Sequence, residues 1–129
     1  MPTKKVILTS SAPKPIGPYS QAIQAGGFLF CSGQVAIDPQ TGNVMSSESV
    51  EEQTRQVMRN IEAVLKTAGC SWGSVVKTTI FLQSMGDFGK VNEIYGTYFK
   101  EEPPARSTVE VSRLPKDVKV EIEVIALVS

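Results

Sequence analysis

The chain has no histidine, which excludes Ser-His and Cys-His nucleophile pairs, His-ligated zinc and the H-E-x-x-H chemistry of metalloproteases. Any proton transfer must run through carboxylate, lysine, tyrosine, thiol or bound water. Cysteine is almost as scarce: Cys31 and Cys70 are the only two, too far apart in sequence for a C-x-x-C redox or zinc motif, and two lone thiols suit a reducing compartment. Neither sign of charge is in excess, because 13 Lys and Arg balance 13 Asp and Glu. Nothing in the totals steers the chain toward phosphate backbones or anionic membranes. Long apolar runs are missing too, so no membrane span is expected. The opening MPTKKVILTSSAPKPIGPYS has a three-residue apolar core, Val6 to Leu8, followed by prolines, and it contains no arginine. It reads as neither a secretory signal nor a transit peptide. The expected location is the cytosol, with the mitochondrion left open.

What remains is the composition of one ordinary globular unit. At 129 residues, 41% hydrophobic and 20% charged, residues 1–129 are expected to form a single domain around one core. Val6 to Leu8 reads as a short strand, and the prolines between Pro13 and Pro18 as irregular chain. YSQAIQA and FLFCSGQ read as a hairpin joined by Gly26-Gly27, a pair able to take positive φ. The spacing of Val50, Thr54, Val57, Met58, Ile61, Val64, Leu65 and Ala68 predicts a helix, with Ser49-x-x-Glu52 as a capping box and Gly69 as its stop. VVKTTIFLQ, Val75 to Gln83, is β-branched and predicts a strand. A second helix is expected over about Asp87 to Phe99, its inner stripe formed by Phe88, Val91, Ile94, Tyr95, Tyr98 and Phe99 as core. Two closing strands follow around a Leu-Pro-Lys-Asp turn. This order predicts an α+β domain, two helices on one face of a mixed β-sheet. The last strand alternates Val118, Val120, Ile122, Val124 and Ala126 with Lys119, Glu121, Glu123, Ile125 and Leu127. The second face is part polar and part greasy, which suits a subunit interface.

Strand parity also sorts the candidate chemistry. In RSTVEVSR, Arg106, Thr108 and Glu110 share one face, and Ser107, Val109 and Val111 the other. Arg106 is either a strand-end charge, exposed or paired with Glu121, or a carboxylate clamp whose guanidinium grips both oxygens of an acid. Glu121 is a solvated strand residue, a partner of Lys119, or the group that holds and activates water. With no histidine present, it is the natural candidate for proton transfer. Ser32 precedes Gly33 in FCSGQV, where the glycine either ends a strand or lets a ligand approach. Tyr19 and Asn92 are a packed ring and a helix-surface amide, or donors at a pocket.

Taken together, IGPYSQA, FCSGQ, TIFL with DFGKVNEIY, and above all PARSTVEVSRLPKDVKVEIEVIA resemble the reactive intermediate deaminase family (RidA/YjgF, formerly L-PSP endoribonuclease or translation initiation inhibitor) over nearly the whole chain. The resemblance implies a chorismate-mutase-like fold assembled as a homotrimer around a central barrel, with sites in the clefts between subunits. It implies hydrolysis of 2-imino acids, such as 2-iminobutanoate and 2-iminopropanoate released by pyridoxal-phosphate-dependent dehydratases, to 2-oxo acids and ammonia. On that resemblance Arg106 takes the substrate carboxylate, Glu121 takes the water, and Tyr19, Ser32, Gly33, Asn92 and Thr108 surround the ligand. Thr108 stands where many members have a cysteine, with the same parity and no thiol. No metal and no organic cofactor is implied, and no nucleic-acid or membrane partner. Two rivals are a ribonuclease or translation inhibitor, against which the neutral charge and missing basic stripe argue, and a non-catalytic sensor of small carboxylates, which needs Arg106 but not Glu121.

Overall fold

A pair of glycines turns the first part of the chain into an antiparallel run in the computed structural model, which describes residues 3–129. β1 (Lys5–Ile7) pairs with β2 (Ala22–Ala25), which turns through Gly26 and Gly27 into β3 (Phe28–Gln34). Both glycines have positive φ, 57° and 83°, as the tight turn demands. The hairpin is as expected.

The first helix, α1 (Val50–Thr67), buries Val57, Met58, Ile61, Val64 and Leu65. Ser49 Oγ accepts the Glu52 amide at its N-terminus. The reciprocal half of the expected capping box is missing, because the Glu52 carboxylate turns to Arg55 one turn on. Two buried polar side chains of α1 tie down irregular chain. Asn60 donates to the carbonyls of Val35 and Ile37, and Gln53 donates to those of Ser46 and Glu48 while accepting the Lys119 amide. Lys119 itself sends Nζ to the Ser46 and Glu48 carbonyls, 3.0 Å each. It is not a partner of Glu121.

β4 (Val75–Leu82) is followed by α2 (Phe88–Gly96) and then by β5 (Ala105–Glu110), parallel to β4. A helical crossover is what a parallel pair requires. The second helix is shorter than expected. Beyond Gly96 the amides of Thr97, Tyr98 and Phe99 bond three residues back, the tighter winding with which helices often end. Tyr98 and Phe99 nevertheless pack their rings on Trp72, at 5.0 and 5.3 Å.

A turn at Pro115–Asp117 then leads into β6 (Val120–Leu127). Lys116 and Asp117 both adopt positive φ there, and the strand begins two residues later than the pattern suggested. β6 lies in the middle of the six-stranded sheet, order β1-β2-β3-β6-β4-β5, antiparallel to both β3 and β4. Its alternation holds: Val120, Ile122, Val124 and Ala126 are buried on the face that α1 covers. The opposite face is uncovered in one copy of the chain. On it Phe28 lies opposite Leu127 and Phe30 opposite Ile125, with Phe30 and Leu127 46% and 50% exposed.

Candidate functional site

Two clusters of candidate residues exist, one on each face of the sheet. The first is built where β3 meets β6. Their register slips between Cys31 and Gln34, so Ser32 and Gly33 bow out of the ladder as a bulge does, re-aiming side chains. The Ser32 amide donates to the Gln21 carbonyl and its hydroxyl to the Ser20 carbonyl at 2.6 Å. Both bonds hold the bulge against the chain leading into β2. Gly33 answers a need for space. A Cβ on it would fall 2.0 Å from Glu121 Oε2 and 2.9 Å from its carboxyl carbon, so the carboxylate lies directly against the glycine.

These residues line a cavity of about 360 Å³ together with Tyr19, and with Ile16, Val35, Ile37, Pro115 and Lys116, which sequence reasoning did not single out. The signal for the aliphatic wall was weak. Val35 and Ile37 sit in irregular chain after β3, where no period distinguishes a cavity wall from core. Glu121 is half-buried there and has no ion-pair partner among the described residues. Burial pushes its carboxyl above the ordinary carboxylate value, and the charge of Glu123 on the same strand face adds to the rise. A carboxylate so placed is a better proton acceptor than a solvated one.

The second cluster sits on the helix-covered face at the β5 edge. Arg106 lies opposite Thr78 in the parallel register. Its Nη1 donates to Asn92 Oδ1 at 2.7 Å, and its guanidinium carbon lies 5.5 Å from the Phe88 ring centre and 5.0 Å from that of Tyr95. Asn92, Phe88 and Tyr95 all come from α2. Arg106 is therefore exposed but held on several sides, and no carboxylate of the described residues pairs with it. Tyr95 Oη and Thr78 Oγ1 share a hydrogen bond of 2.7 Å. Burial raises the Tyr95 phenol above its ordinary value, opposed by the Thr78 bond and the Arg106 charge.

Arg106 and Glu121 do not meet within one protomer. Arg106 pairs across to Thr78 and Glu121 to Phe81 of the shared strand β4, three residues apart and of opposite parity. With β4 between them, they are separated by about 10 Å across the sheet and about 10 Å along it, on opposite faces. The ion pair entertained from the sequence is absent, and one chain cannot apply both groups to one small ligand. Each cluster is internally coherent: Tyr19, Ser32, Gly33 and Glu121 in one, Asn92 and Arg106 in the other.

Thr108 shares the face of Arg106, but its Oγ1 is enclosed and is the one buried side-chain polar atom among the described residues without a hydrogen-bond partner. An enclosed unpaired hydroxyl costs about 1–3 kcal/mol, so Thr108→Val, which keeps the shape, is expected to stabilise the protein by about 1 kcal/mol. Thermal unfolding should show this as a Tm several degrees higher. A lower Tm would mean that the hydroxyl bonds to a second copy or a ligand.

No helix of the described residues is long and apolar enough to cross a membrane. Residues 9–128 match a family model described as Endoribonuclease L-PSP. A RutC family protein of Pyrococcus horikoshii is 58% identical over 123 residues, 95% of this chain and 97% of that protein. The mouse protein named 2-iminobutanoate/2-iminopropanoate deaminase is 49% identical over 124 residues, 96% of this chain and 91% of the mouse one. Among solved structures, Escherichia coli TdcF with bound serine superposes with a TM-score of 0.91 at 43% identity, covering 97% of this chain and 99% of that one.

Proposed function

The chain belongs to the reactive intermediate deaminase (endoribonuclease L-PSP) family, and from that premise we propose that it hydrolyses small 2-imino acids to 2-oxo acids and ammonia, at sites that two copies of the chain complete. The observation that carries this reading is the Glu121 carboxylate. It is half-buried against Gly33, raised in proton affinity, and placed in a cavity. A carboxylate-only sensor has no use for such a group. The name of the mouse relative supports the substrate class, and the serine bound to the Escherichia coli relative supports a pocket for small carboxylates.

The division of groups between opposite faces supports the composite site. A second copy laid on the uncovered face, so that its β5 edge meets the Glu121 cavity, brings a guanidinium to one end of a ligand and a carboxylate to the other. The apolar pairs Phe28 with Leu127 and Phe30 with Ile125 supply the buried area for such a contact. Three copies related by rotation close into a ring, which fits the homotrimer expected from the resemblance.

In this site the Arg106 fork binds the substrate carboxylate, with Asn92 occupying its other side. Glu121 accepts a proton from water as the water oxygen bonds to the imine carbon. The C=N π bond opens and nitrogen takes that proton, giving a tetrahedral carbinolamine. Glu121 then takes the hydroxyl proton as the C=O bond forms and passes it to nitrogen as the C–N bond breaks and ammonia leaves. No electron transfer occurs, and the residues named are sufficient for each step. Tyr19 offers a hydrogen bond near the reacting carbon, where the Ser32 hydroxyl, its hydrogen given to the Ser20 carbonyl, serves as an acceptor. An imine needs less help than an amide, and a positioned base typically supplies ~10²–10⁴ in rate. Cys31 and Cys70 are free thiols, as suits a reducing compartment, and we place the activity in the cytosol.

The test couples a threonine or serine dehydratase to this protein in the presence of semicarbazide, which traps free imine. Faster 2-oxo acid formation with less trapped product is expected, and an unchanged partition would favour a sensor. Arg106→Lys should lower kcat/KM by at least ~10-fold, because an ammonium cannot reproduce the two parallel bonds of the fork. RNA cleavage that survives repurification and Arg106→Ala would instead favour the ribonuclease that the family description names.

A further inference from the structure

Arg106 is on an edge strand and exposed, a setting in which a long side chain ordinarily samples many rotamers. Here its guanidinium is held by α2: Asn92 takes Nη1, and the Phe88 and Tyr95 rings lie near the carbon. The three are not equivalent. Phe88 is only partly buried at the start of the helix and Asn92 is exposed, whereas Tyr95 is 5% exposed. Its ring is held from one side by Phe99, whose ring centre is 4.7 Å away, and its hydroxyl is fixed by Thr78. Thr78 is the residue directly across from Arg106 in the β4–β5 register. The strand that carries the arginine is thus paired to the residue that fixes the ring beneath it. In sequence terms this ring belongs to a stripe that reads as plain core. A core position needs no hydroxyl, and a buried one is retained only with a partner.

We propose that Tyr95, anchored through Thr78, is a positioning residue for Arg106: its ring face sets the plane of the guanidinium and so aims the free edge of the fork at the substrate carboxylate. The proposal rests on the deaminase reading, in which Arg106 binds that carboxylate. A cation over an aromatic face is attracted by the ring quadrupole, which resists tilting of the fork. Phe99, packed on Tyr95, rests in turn on the sole tryptophan, Trp72, so the ring is backed by packed side chains. In this role Tyr95 acts through Arg106 alone.

The experiment measures the affinity of the assembled protein for 2-oxobutanoate by titration calorimetry, and kcat and KM in the dehydratase-coupled assay. Tyr95→Leu should raise Kd and KM about 10-fold with kcat within about twofold. Tyr95→Phe, which keeps the ring but frees it from Thr78, should raise them about threefold, as should Thr78→Val. The decisive comparison is made in an Arg106→Ala background. If Tyr95 acts through the arginine, Tyr95→Phe and Thr78→Val lose their effect on Kd there, whereas a merely structural role would give the same loss in both backgrounds. Equal losses with and without Arg106, or wild-type affinity in both Tyr95→Phe and Thr78→Val, overturn the proposal. Should Arg106→Ala alone bind 2-oxobutanoate as tightly as the wild type, the deaminase reading of Arg106 falls first, and the two failures are told apart.

Discussion

Glu121→Gln is expected to slow turnover by ~10²–10⁴ while making the protein more stable. Glutamine keeps the size of the side chain and its place against Gly33, but it cannot take a proton from water. Binding of a 2-oxo acid should change little, since the carboxylate end of the ligand is held by Arg106. The stability gain follows from the same environment that makes the group reactive. The folded carboxyl is raised above its ordinary value by burial and by Glu123, so the folded state holds this proton more tightly than the unfolded chain does. Its contribution therefore favours folding below the ordinary carboxylate pKa, and it declines as the pH rises from there through the raised value. At neutral pH the ionised side chain destabilises the fold, and the neutral amide removes that effect. Thermal unfolding at several pH values checks this. The Tm of the variant should exceed that of the wild type at pH 7, and the difference should close as the pH falls to the ordinary carboxylate value. The wild-type rate should fall toward low pH with a midpoint above that of a free carboxylate. Full turnover in Glu121→Gln would remove the assigned role.

Trading stability for a reactive group in this way is how functional sites depart from what a sequence otherwise specifies. Such departures also explain which parts of the protein could be read from its residues. The hairpin was legible because Gly26-Gly27 separates two β-rich runs, and α1 because its apolar positions recur every three or four residues over 18 residues. The parity of β6 was legible for the same reason: Val120, Ile122, Val124 and Ala126 alternate with Glu121 and Glu123, and that alternation is what the structure contains. Parity also put Arg106 and Thr108 on one face of β5. It could not say which face of β5 matches which face of β6, because that depends on the strand between them. The register of β4 with both neighbours decides it, and register is set by contacts far apart in sequence. That is why Arg106 and Glu121, adjacent in the pattern, lie on opposite faces.

Other features lie outside what a residue pattern carries. Tyr95 is core, as its stripe predicts, but a helical stripe records burial and not the partner of a buried hydroxyl, and Thr78 is 17 residues away. The shortened α2 and the late start of β6 reflect backbone that periodicity cannot see, the three-residue winding after Gly96 and the positive φ at Lys116 and Asp117. Glu52 had the right spacing for a capping box, but Arg55 one turn on offered it a charge.

Gly33→Ala tests the local geometry most directly, and its expected effect on turnover rivals that of removing the carboxylate. The backbone at Gly33 does not need positive φ, so alanine introduces no conformational strain there; only space is at issue. Its Cβ would fall 2.0 Å from Glu121 Oε2, 2.9 Å from Cδ and 3.1 Å from Cγ. Because the contact runs along the side chain from Cγ outward, a turn of the terminal carboxylate alone does not relieve it. The side chain must swing away from β3, which it can do because nothing bonds it in place and the cavity lies beside it. The fold should therefore survive, with a stability change near the ~1 kcal/mol typical of a single substitution, while the proton acceptor is displaced from the reacting carbon. A shift of about 1 Å in such a group is enough for roughly 10²-fold. The control is the same substitution beside Glu121→Ala, where the clash is gone: Gly33→Ala should then affect neither stability nor the residual rate. If Gly33→Ala keeps wild-type turnover, or if its effect is unchanged beside Glu121→Ala, the close approach of the carboxylate to the glycine is not what the site depends on.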